Sequence, residues 1–209
     1  INAVEQYVGD WAIENGVRLA VPRESTGKKV AVIGGGPAGL SAAYFLRRLG
    51  HRVTIFEANE QLGGMMRYGI PGYRTPRELL DAEIKRILDT AVEVRLNTQV
   101  GKNVTVAELE KDFDAVFWAI GAQKGRPLPV PGWGADGCLT GVEFLDAFNH
   151  GWVFSTAKRI VVVGGGDTSI DVASVARRLG HVTTVGRHDA GGHGVVGFTA
   201  QDVAGTLRR

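Results

Sequence analysis

The stretch that decides the fold is KVAVIGGGPAGLSAAYFLRRLGHRVTIFEA, residues Lys29 to Ala58. Val30 to Ile33 form a short, β-branched apolar run that predicts a buried parallel strand. From Ala38 onward, apolar residues recur every three or four positions, which predicts a helix ending at Gly50. A second apolar run closes on Glu57, so the stretch predicts a strand, a helix and a second strand in succession.

Between the first strand and the helix, three glycines have the spacing G-x-G-x-x-G, at Gly34, Gly36 and Gly39. Glycine here lets backbone N–H groups approach a pyrophosphate, and the helix N-terminus presents a partial positive charge to it. Pro37 suits the first helical turn, where its missing N–H would be unpaired anyway. Glu57 follows the last glycine by 57 − 39 = 18 residues, near the ~20 typical of an acid that binds a ribose 2′-hydroxyl. These features together favour dinucleotide binding over a plain glycine-rich turn.

The same motif returns at a constant offset of 130 residues. Gly34 recurs as Gly164, the letters RRLGH occur in both copies, and Glu57 is replaced by Arg187. An arginine in place of the ribose-binding acid favours a 2′-phosphate. The first unit is therefore predicted to bind FAD and the second NADPH. The alternative, that Arg187 is only a solvated surface residue, remains open.

Composition excludes several classes of protein. The formal net charge is only +2 and no basic run occurs, so neither nucleic acid nor a membrane surface is an expected partner. No apolar run approaches the ~20 residues of a membrane span. The single cysteine, Cys138, excludes a redox dithiol or an iron–sulfur cluster within this chain, and a cytoplasmic location is expected. Because the chain begins at Ile1, a preceding segment is also expected.

Further elements follow from periodicity and turn residues. Residues 1–15 predict an amphipathic helix that needs a partner surface. Residues 62–76 are rich in glycine and proline but too apolar for a solvated loop, and we interpret them as a loop, without helix or strand, that covers a ligand. Residues 114–120 predict another buried strand, and Thr105 begins a capping box. Beyond residue 187 the sequence predicts no clear third strand.

At this point the chain resembles a known family, the small (beta) subunit of NADPH-dependent glutamate synthase together with the flavin half of dihydropyrimidine dehydrogenase. The motifs that carry the resemblance are VIGGGPAGLSAA, GGMMRYGIPGYRTP, AVFWAIGA and VVVGGGDTSIDVA. The resemblance implies an α/β fold in which an NAD(P)-binding Rossmann-like domain, here incomplete, is inserted into a Rossmann-like FAD-binding domain. The expected boundaries are 1–28 for a helix and connector, 29–149 for the FAD domain and 150–209 for the partial NADP domain. Relative to the family, the chain looks truncated at both ends.

The resemblance also implies cofactor contacts, residue by residue. Those to FAD are Gly34, Gly36, Pro37, Ala38, Gly39, Glu57, Gly64, Met65, Arg74, Val100 and Gly121. Those to NADPH are Gly165, Gly166, Asp167, Thr168, Arg187 and His188.

The implied activity is that of an electron-input flavoprotein. Hydride passes from NADPH to FAD, and electrons then pass to iron–sulfur clusters on another domain or subunit that serves a large catalytic subunit. Because the flavin does the chemistry, no acid, base, nucleophile or metal ligand is nominated. Two alternatives stand beside this interpretation. A disulfide reductase needs a Cys-x-x-Cys that the chain lacks, and a non-catalytic nucleotide-binding module or a fragment of the enzyme fits the incomplete length.

Overall fold

The chain forms two compact units in the computed structural model, which describes residues 1–20, 24–152, 158–187 and 196–198. One unit consists of residues 1–67 and 72–122, and the other of residues 68–71 and 123–209. The predicted boundary at residue 149 lies inside the second unit. Compactness does not identify the nucleotide that a unit binds, so the assignment of the FAD and NADP domains stays a prediction.

Before residue 122, strands and helices alternate except that the third and fourth helices are consecutive. The elements are α1 (Asn2–Glu14), β1 (Lys29–Ile33), α2 (Pro37–Arg48), β2 (Arg52–Phe56), α3 (Met65–Tyr68), α4 (Arg77–Leu88), β3 (Glu93–Arg95), α5 (Val106–Asp112) and β4 (Ala115–Trp118). The four strands form a parallel sheet in the order β3-β2-β1-β4. The predicted strand–helix–strand stretch corresponds to β1, α2 and β2.

Side chains along β1 alternate between the two faces of the sheet. Each face is covered by an apolar cluster. Val30 and Val32 pack on one face in a cluster that includes Leu40 of α2 and Leu80 of α4. Ala31 belongs to a second cluster, on the other face, with Ile33, Phe56 and Leu109. The glycine turn therefore leaves a strand that is fixed from both sides.

Two predictions about the first unit are wrong in detail. Residues 62–76 are not wholly irregular, because Met65–Tyr68 form the one-turn helix α3. The strand at 114–120 exists as β4, but it is not buried, since Phe117 and Trp118 are 44% and 51% exposed. Among the described strands, β4 pairs with β1 alone. The exposure of its apolar side chains therefore reflects a position with one neighbouring strand.

The N-terminal helix α1 is present as predicted, and none of its residues is buried. Just after the helix, the Val17 carbonyl accepts a hydrogen bond of 3.2 Å from Arg86 Nε of α4. The apolar side chains of Val4, Val8 and Trp11 stay at least half exposed. The expectation that α1 needs a partner surface stays a prediction.

The second unit repeats the strand–helix–strand arrangement. Its elements are α6 (Gly141–Asn149), β5 (Arg159–Val163), α7 (Asp167–Arg178), β6 (Val182–Arg187) and β7 (Val196–Phe198). Strands β5 and β6 are parallel, and α6 and α7 pack with β5 around Leu145, Val162, Val172 and Val175. The expectation of no third strand is wrong, because β7 pairs antiparallel with β6. A three-residue strand gives too short a pattern to be recognised in sequence.

Candidate functional site

The first glycine turn joins β1 to α2 in a tight, well-bonded arrangement. Gly34 has a φ of +108°, in the left-handed range that favours glycine, and its N–H donates to the Phe56 carbonyl at 2.8 Å. Gly36 is the N-cap of α2, and Pro37 and Ala38 form its first turn. The free backbone N–H groups of a helix N-terminus are therefore placed beside Gly36, where an anion is favoured.

The glycines of the motif serve different purposes. A Cβ at Gly39 would lie 1.9 Å from the Gly34 carbonyl oxygen, so this glycine permits close packing of helix on strand. A Cβ at Gly36 would meet nothing nearer than the Gly64 Cα at 3.6 Å. Folding alone does not demand glycine at position 36. The space beside it suits the close approach of a phosphate group.

Glu57 directly follows β2 and is buried, with only 6% of the residue exposed. Its Oε2 accepts a hydrogen bond from the Gly35 N–H at 2.7 Å, so the acid lies directly against the glycine turn. Its Oε1 accepts two more, from the backbone N–H and the side-chain Nδ2 of Asn59, at 2.9 Å and 3.0 Å. The structure thus brings the predicted ribose-binding acid and the predicted pyrophosphate turn together.

The loop at 62–76 reaches the same turn. The Gly63 N–H donates to the Gly35 carbonyl at 2.8 Å, and Gly64, with φ +51°, lies beside Gly36. Met65 is half-buried at the start of α3, whereas Arg74 is exposed. Gly64 and Met65 therefore lie near the predicted pyrophosphate site, and the contact of Arg74 with FAD stays a prediction.

Two arginines that the sequence did not single out hold this loop. Arg67 is 7% exposed, donates from Nε to the Leu62 carbonyl and pairs through Nη2 with Asp81. Arg77 donates from Nη1 to the Met66 carbonyl at 2.9 Å and from Nη2 to the Arg67 carbonyl at 2.5 Å. A cation at the C-terminal end of α3 is favourable. No residue spacing in the sequence predicts these contacts, because each depends on how the loop folds back on α4.

The remaining predicted FAD contacts lie near the ends of strands. A Cβ on Gly34 would lie 2.4 Å from the Ala119 carbonyl oxygen, so the chain just after β4 passes close to the glycine turn. Gly121 follows with φ +63°. Val100 is half-buried and packs against the cluster that contains Ala31, which is a core role.

The second glycine turn has a similar construction, with Ser169 in place of the third glycine. The Gly164 N–H donates to the Gly186 carbonyl at 2.7 Å, and Gly166 is the N-cap of α7. A Cβ at Gly165 or Gly166 would meet no atom within 4 Å. Asp167 and Thr168 are exposed in the first turn of the helix. The turn is open to an incoming phosphate on the side of these glycines.

Two predicted NADPH contacts are less defined. Arg187 is the last residue of β6, the strand position that matches the one just after Phe56 in the first unit. His188 lies outside the described residues. Their roles, like those of all the cofactor contacts above, stay predictions. Among the helices described, none combines the length and apolarity needed to cross a bilayer.

Comparison with known proteins places this geometry in a family. Residues 28–191 match the model of the family described as "Pyridine nucleotide-disulphide oxidoreductase". The chain is 36% identical over 196 residues to the "Glutamate synthase [NADPH] small chain" of Mycobacterium tuberculosis, covering 87% of this chain and 40% of that one. It is 47% identical over 159 residues to the "NADP(+)-dependent formate dehydrogenase subunit beta" of Moorella thermoacetica, covering 75% and 22%. The chain thus spans less than half the length of these relatives.

The solved structure of Mycobacterium tuberculosis FprA in complex with NADPH has a similar fold. Its TM-score is 0.65 at 25% identity, over 71% of this chain and 36% of that one. The predicted resemblance and the α/β, Rossmann-like fold class are confirmed by these matches. The predicted cofactor pair, FAD and NADP, and the enzyme class are confirmed at the level of the family. The chain belongs to the pyridine nucleotide-disulphide oxidoreductase family.

Proposed function

We propose that this chain is an electron-input module that binds FAD at the first glycine turn and NADPH at the second. Bound FAD would supply the redox chemistry, which is hydride acceptance from the reduced nicotinamide and one-electron release. The protein's part is to bind and orient the two nucleotides. The membership of the chain in a family of pyridine-nucleotide oxidoreductases supports this division of labour.

One observation supports the proposal above all others: the two units contain the same turn, built twice. The register of β1 with β2 pairs Lys29 with Arg52, and that of β5 with β6 pairs Arg159 with Val182. Each residue of the second pair lies 130 positions after its counterpart in the first pair, since 159 − 29 = 130 and 182 − 52 = 130. Each helix that follows has 12 residues and a glycine N-cap in extended conformation. Two such turns in one chain suit two nucleotides better than one.

In the first unit, three features fit a dinucleotide. The helix N-terminus at Gly36 favours the negative pyrophosphate, and the approach of Gly64 leaves no side chain in the way. The buried carboxylate of Glu57 is an acceptor for a ribose hydroxyl. Because a carboxylate disfavours the 2′-phosphate of NADPH, we assign NADPH to the other turn and FAD to this one.

In the second unit, we assign the open glycines Gly165 and Gly166 to the pyrophosphate of NADPH. Arg187 takes the position of the ribose-binding acid, and a guanidinium pairs well with a phosphate. The nucleotide choice rests on this one substitution between the two units.

The onward electron acceptor is also a proposal. Two of the similar proteins are named as a small chain and as a beta subunit, which describes them as parts of larger enzymes. We infer that this module delivers electrons to an iron–sulfur domain or subunit and through it to a large catalytic subunit. The cytoplasmic location remains a prediction from cysteine content.

The test is the visible spectrum of the purified chain after incubation with FAD and removal of free flavin. Retained flavin absorbance that bleaches on anaerobic addition of NADPH is the expected result, with free FAD plus NADPH as the control. If the chain retains flavin and binds NADPH but the flavin absorbance does not bleach, the chain is a nucleotide-binding module instead of an enzyme. Absence of any retained flavin would contradict the FAD assignment.

A further inference from the structure

Glu57 is held in one orientation by the residue two positions after it. Asn59 donates to Oε1 of Glu57 twice, from its backbone N–H at 2.9 Å and from its side-chain Nδ2 at 3.0 Å. The Asn59 carbonyl in turn accepts from the Asn97 N–H at 3.0 Å, and the Glu57 carbonyl accepts from the Thr98 N–H at 2.8 Å. The backbone beneath the carboxylate is therefore fixed at Glu57 and at Asn59.

The hydrogen bonds divide the two carboxylate oxygens into different roles. An ionised carboxylate offers about four acceptor positions, two on each oxygen. Both positions on Oε1 are occupied by Asn59, whereas Oε2 accepts one bond, from the Gly35 N–H. One acceptor position on Oε2, beside the glycine turn, remains for a ligand.

We propose that Asn59 is a positioning residue for the nucleotide site, which directs the one remaining acceptor of Glu57 to a ribose hydroxyl of the adenosine half of FAD. The inference rests on the proposed FAD function of the first unit. Asn59 itself need not touch the ligand. It acts by filling Oε1, so that the carboxylate cannot rotate Oε2 away from the turn without breaking two hydrogen bonds.

The test compares FAD with an analogue whose adenosine ribose lacks the 2′-hydroxyl, using the same chain for both. Wild type should bind FAD about tenfold more tightly than the analogue, the effect expected for one hydrogen bond to a charged group. Asn59→Asp removes the Nδ2 donor and sets a second carboxylate against Glu57. This variant should bind FAD about tenfold more weakly than wild type and should lose the preference over the analogue to within about twofold.

Asn15→Asp is the matched control, because Asn15 also donates from Nδ2, but to the Trp11 carbonyl at the exposed end of α1. It should keep wild-type affinities for both flavins. Asn59→Ala provides a second variant if Asn59→Asp does not fold, and thermal unfolding without flavin reports folding independently. Full discrimination against the analogue in a folded Asn59 variant overturns the inference, as does equal binding of the two flavins by wild type. Failure of wild type to bind either flavin would instead overturn the proposed function itself.

Discussion

The Oε2 atom of Glu57 accepts a hydrogen bond from the Gly35 N–H at 2.7 Å, which joins the end of β2 to the middle of the glycine turn. The residue expected to bind a ribose therefore also stabilises the turn expected to bind the pyrophosphate. Glu57 is 6% exposed, and a buried carboxylate needs such donors. We therefore expect stability and nucleotide recognition to depend on the same side chain.

The first prediction follows from this contact. Glu57→Gln keeps the shape of the side chain but turns one acceptor oxygen into an N–H₂ donor, which must face a donor of Gly35 or Asn59. Leaving a buried donor unpaired costs about 1–3 kcal/mol, and we expect a loss of this size in the free energy of unfolding without flavin. Urea unfolding measures it. Glu60→Gln, an exposed acid in the same connection, is the control and should be neutral. Equal stabilities of Glu57→Gln and wild type would contradict the prediction.

The second prediction separates two glycines of one motif. Gly39→Ala places a Cβ against the Gly34 carbonyl, 1.9 Å away before any relaxation, so the helix must move. Overpacking of this kind costs about 1–3 kcal/mol of stability, measured by thermal or urea unfolding. Gly36→Ala meets only the Gly64 Cα at 3.6 Å, so it should keep wild-type stability while losing FAD affinity. Retention of FAD by a folded Gly36→Ala chain would count against the first site.

Much of this arrangement could be predicted from the sequence because it depends on local pattern. The apolar runs at Val30 to Ile33 and at Arg159 to Val163 are strands, and the offset of 130 appears in the strand registers themselves. The capping box at Thr105 is present, with the Glu108 N–H donating to Thr105 Oγ1 at 3.2 Å. An equivalent box at Thr140 and Glu143 has the same spacing in the sequence, although we did not predict it.

The rest depends on contacts between distant parts of the chain. The donors of Arg77 reach carbonyls ten and eleven residues away only because the loop folds back on its own helix. The hydrogen bonds from Asn59 to Glu57 depend on the shape of a turn that no residue pattern predicts. The exposure of Trp118 depends on how many strands lie beside β4, and an apolar run cannot report that number.

The third prediction concerns the loop at 62–76. Arg77→Ala removes both donors from the carbonyls of Met66 and Arg67, so the one-turn helix α3 should open more often. Hydrogen–deuterium exchange of the α3 amides should become faster, and FAD affinity should fall. Arg86→Ala is the matched control, because Arg86 lies on the same helix α4 but donates to Val17 and pairs with Glu83. Unchanged α3 exchange in Arg77→Ala would show that the loop is held by its other contacts.

The fourth prediction is a pH dependence at the start of the sheet. The Lys28 ammonium, hydrogen-bonded to Asp114 at 2.8 Å, lowers the pKa of that carboxyl below its ordinary 3.8, and the Lys29 N–H adds to the effect. Because the pKa is lower in the folded state, the stabilisation is complete above about pH 4 and is lost as the pH falls through the folded pKa.

Asp114→Asn should therefore be less stable than wild type at neutral pH, by a small amount because the pair is exposed. The difference should shrink on acidification below about pH 4. Urea unfolding at several pH values measures it, with Asp112→Asn, a change at an exposed acid nearby, as the control. A constant difference between Asp114→Asn and wild type at all pH values would contradict the assignment.

The last prediction concerns cofactor choice at the second turn, and it depends on Arg187 at the end of β6. An acid at this position would accept bonds from the ribose hydroxyls of NADH and repel the additional phosphate of NADPH, whereas an arginine reverses both effects. A charge-assisted hydrogen bond is worth ~1.5–3 kcal/mol, which corresponds to roughly a 10- to 100-fold preference for NADPH. Wild type should show that preference in a titration that follows flavin reduction or tryptophan fluorescence.

Arg187→Ala should lose most of the preference through weaker binding of NADPH, with little change toward NADH, because only the 2′-phosphate is missing its partner. Arg177→Ala is the matched control, since Arg177 is an exposed arginine in the last turn of α7 and removes the same charge. If Arg187 acted only by general electrostatic attraction, both variants would weaken NADPH binding equally. Equal affinities of wild type for NADPH and NADH would mean that Arg187 is a surface residue and that the second turn does not select between the two nucleotides.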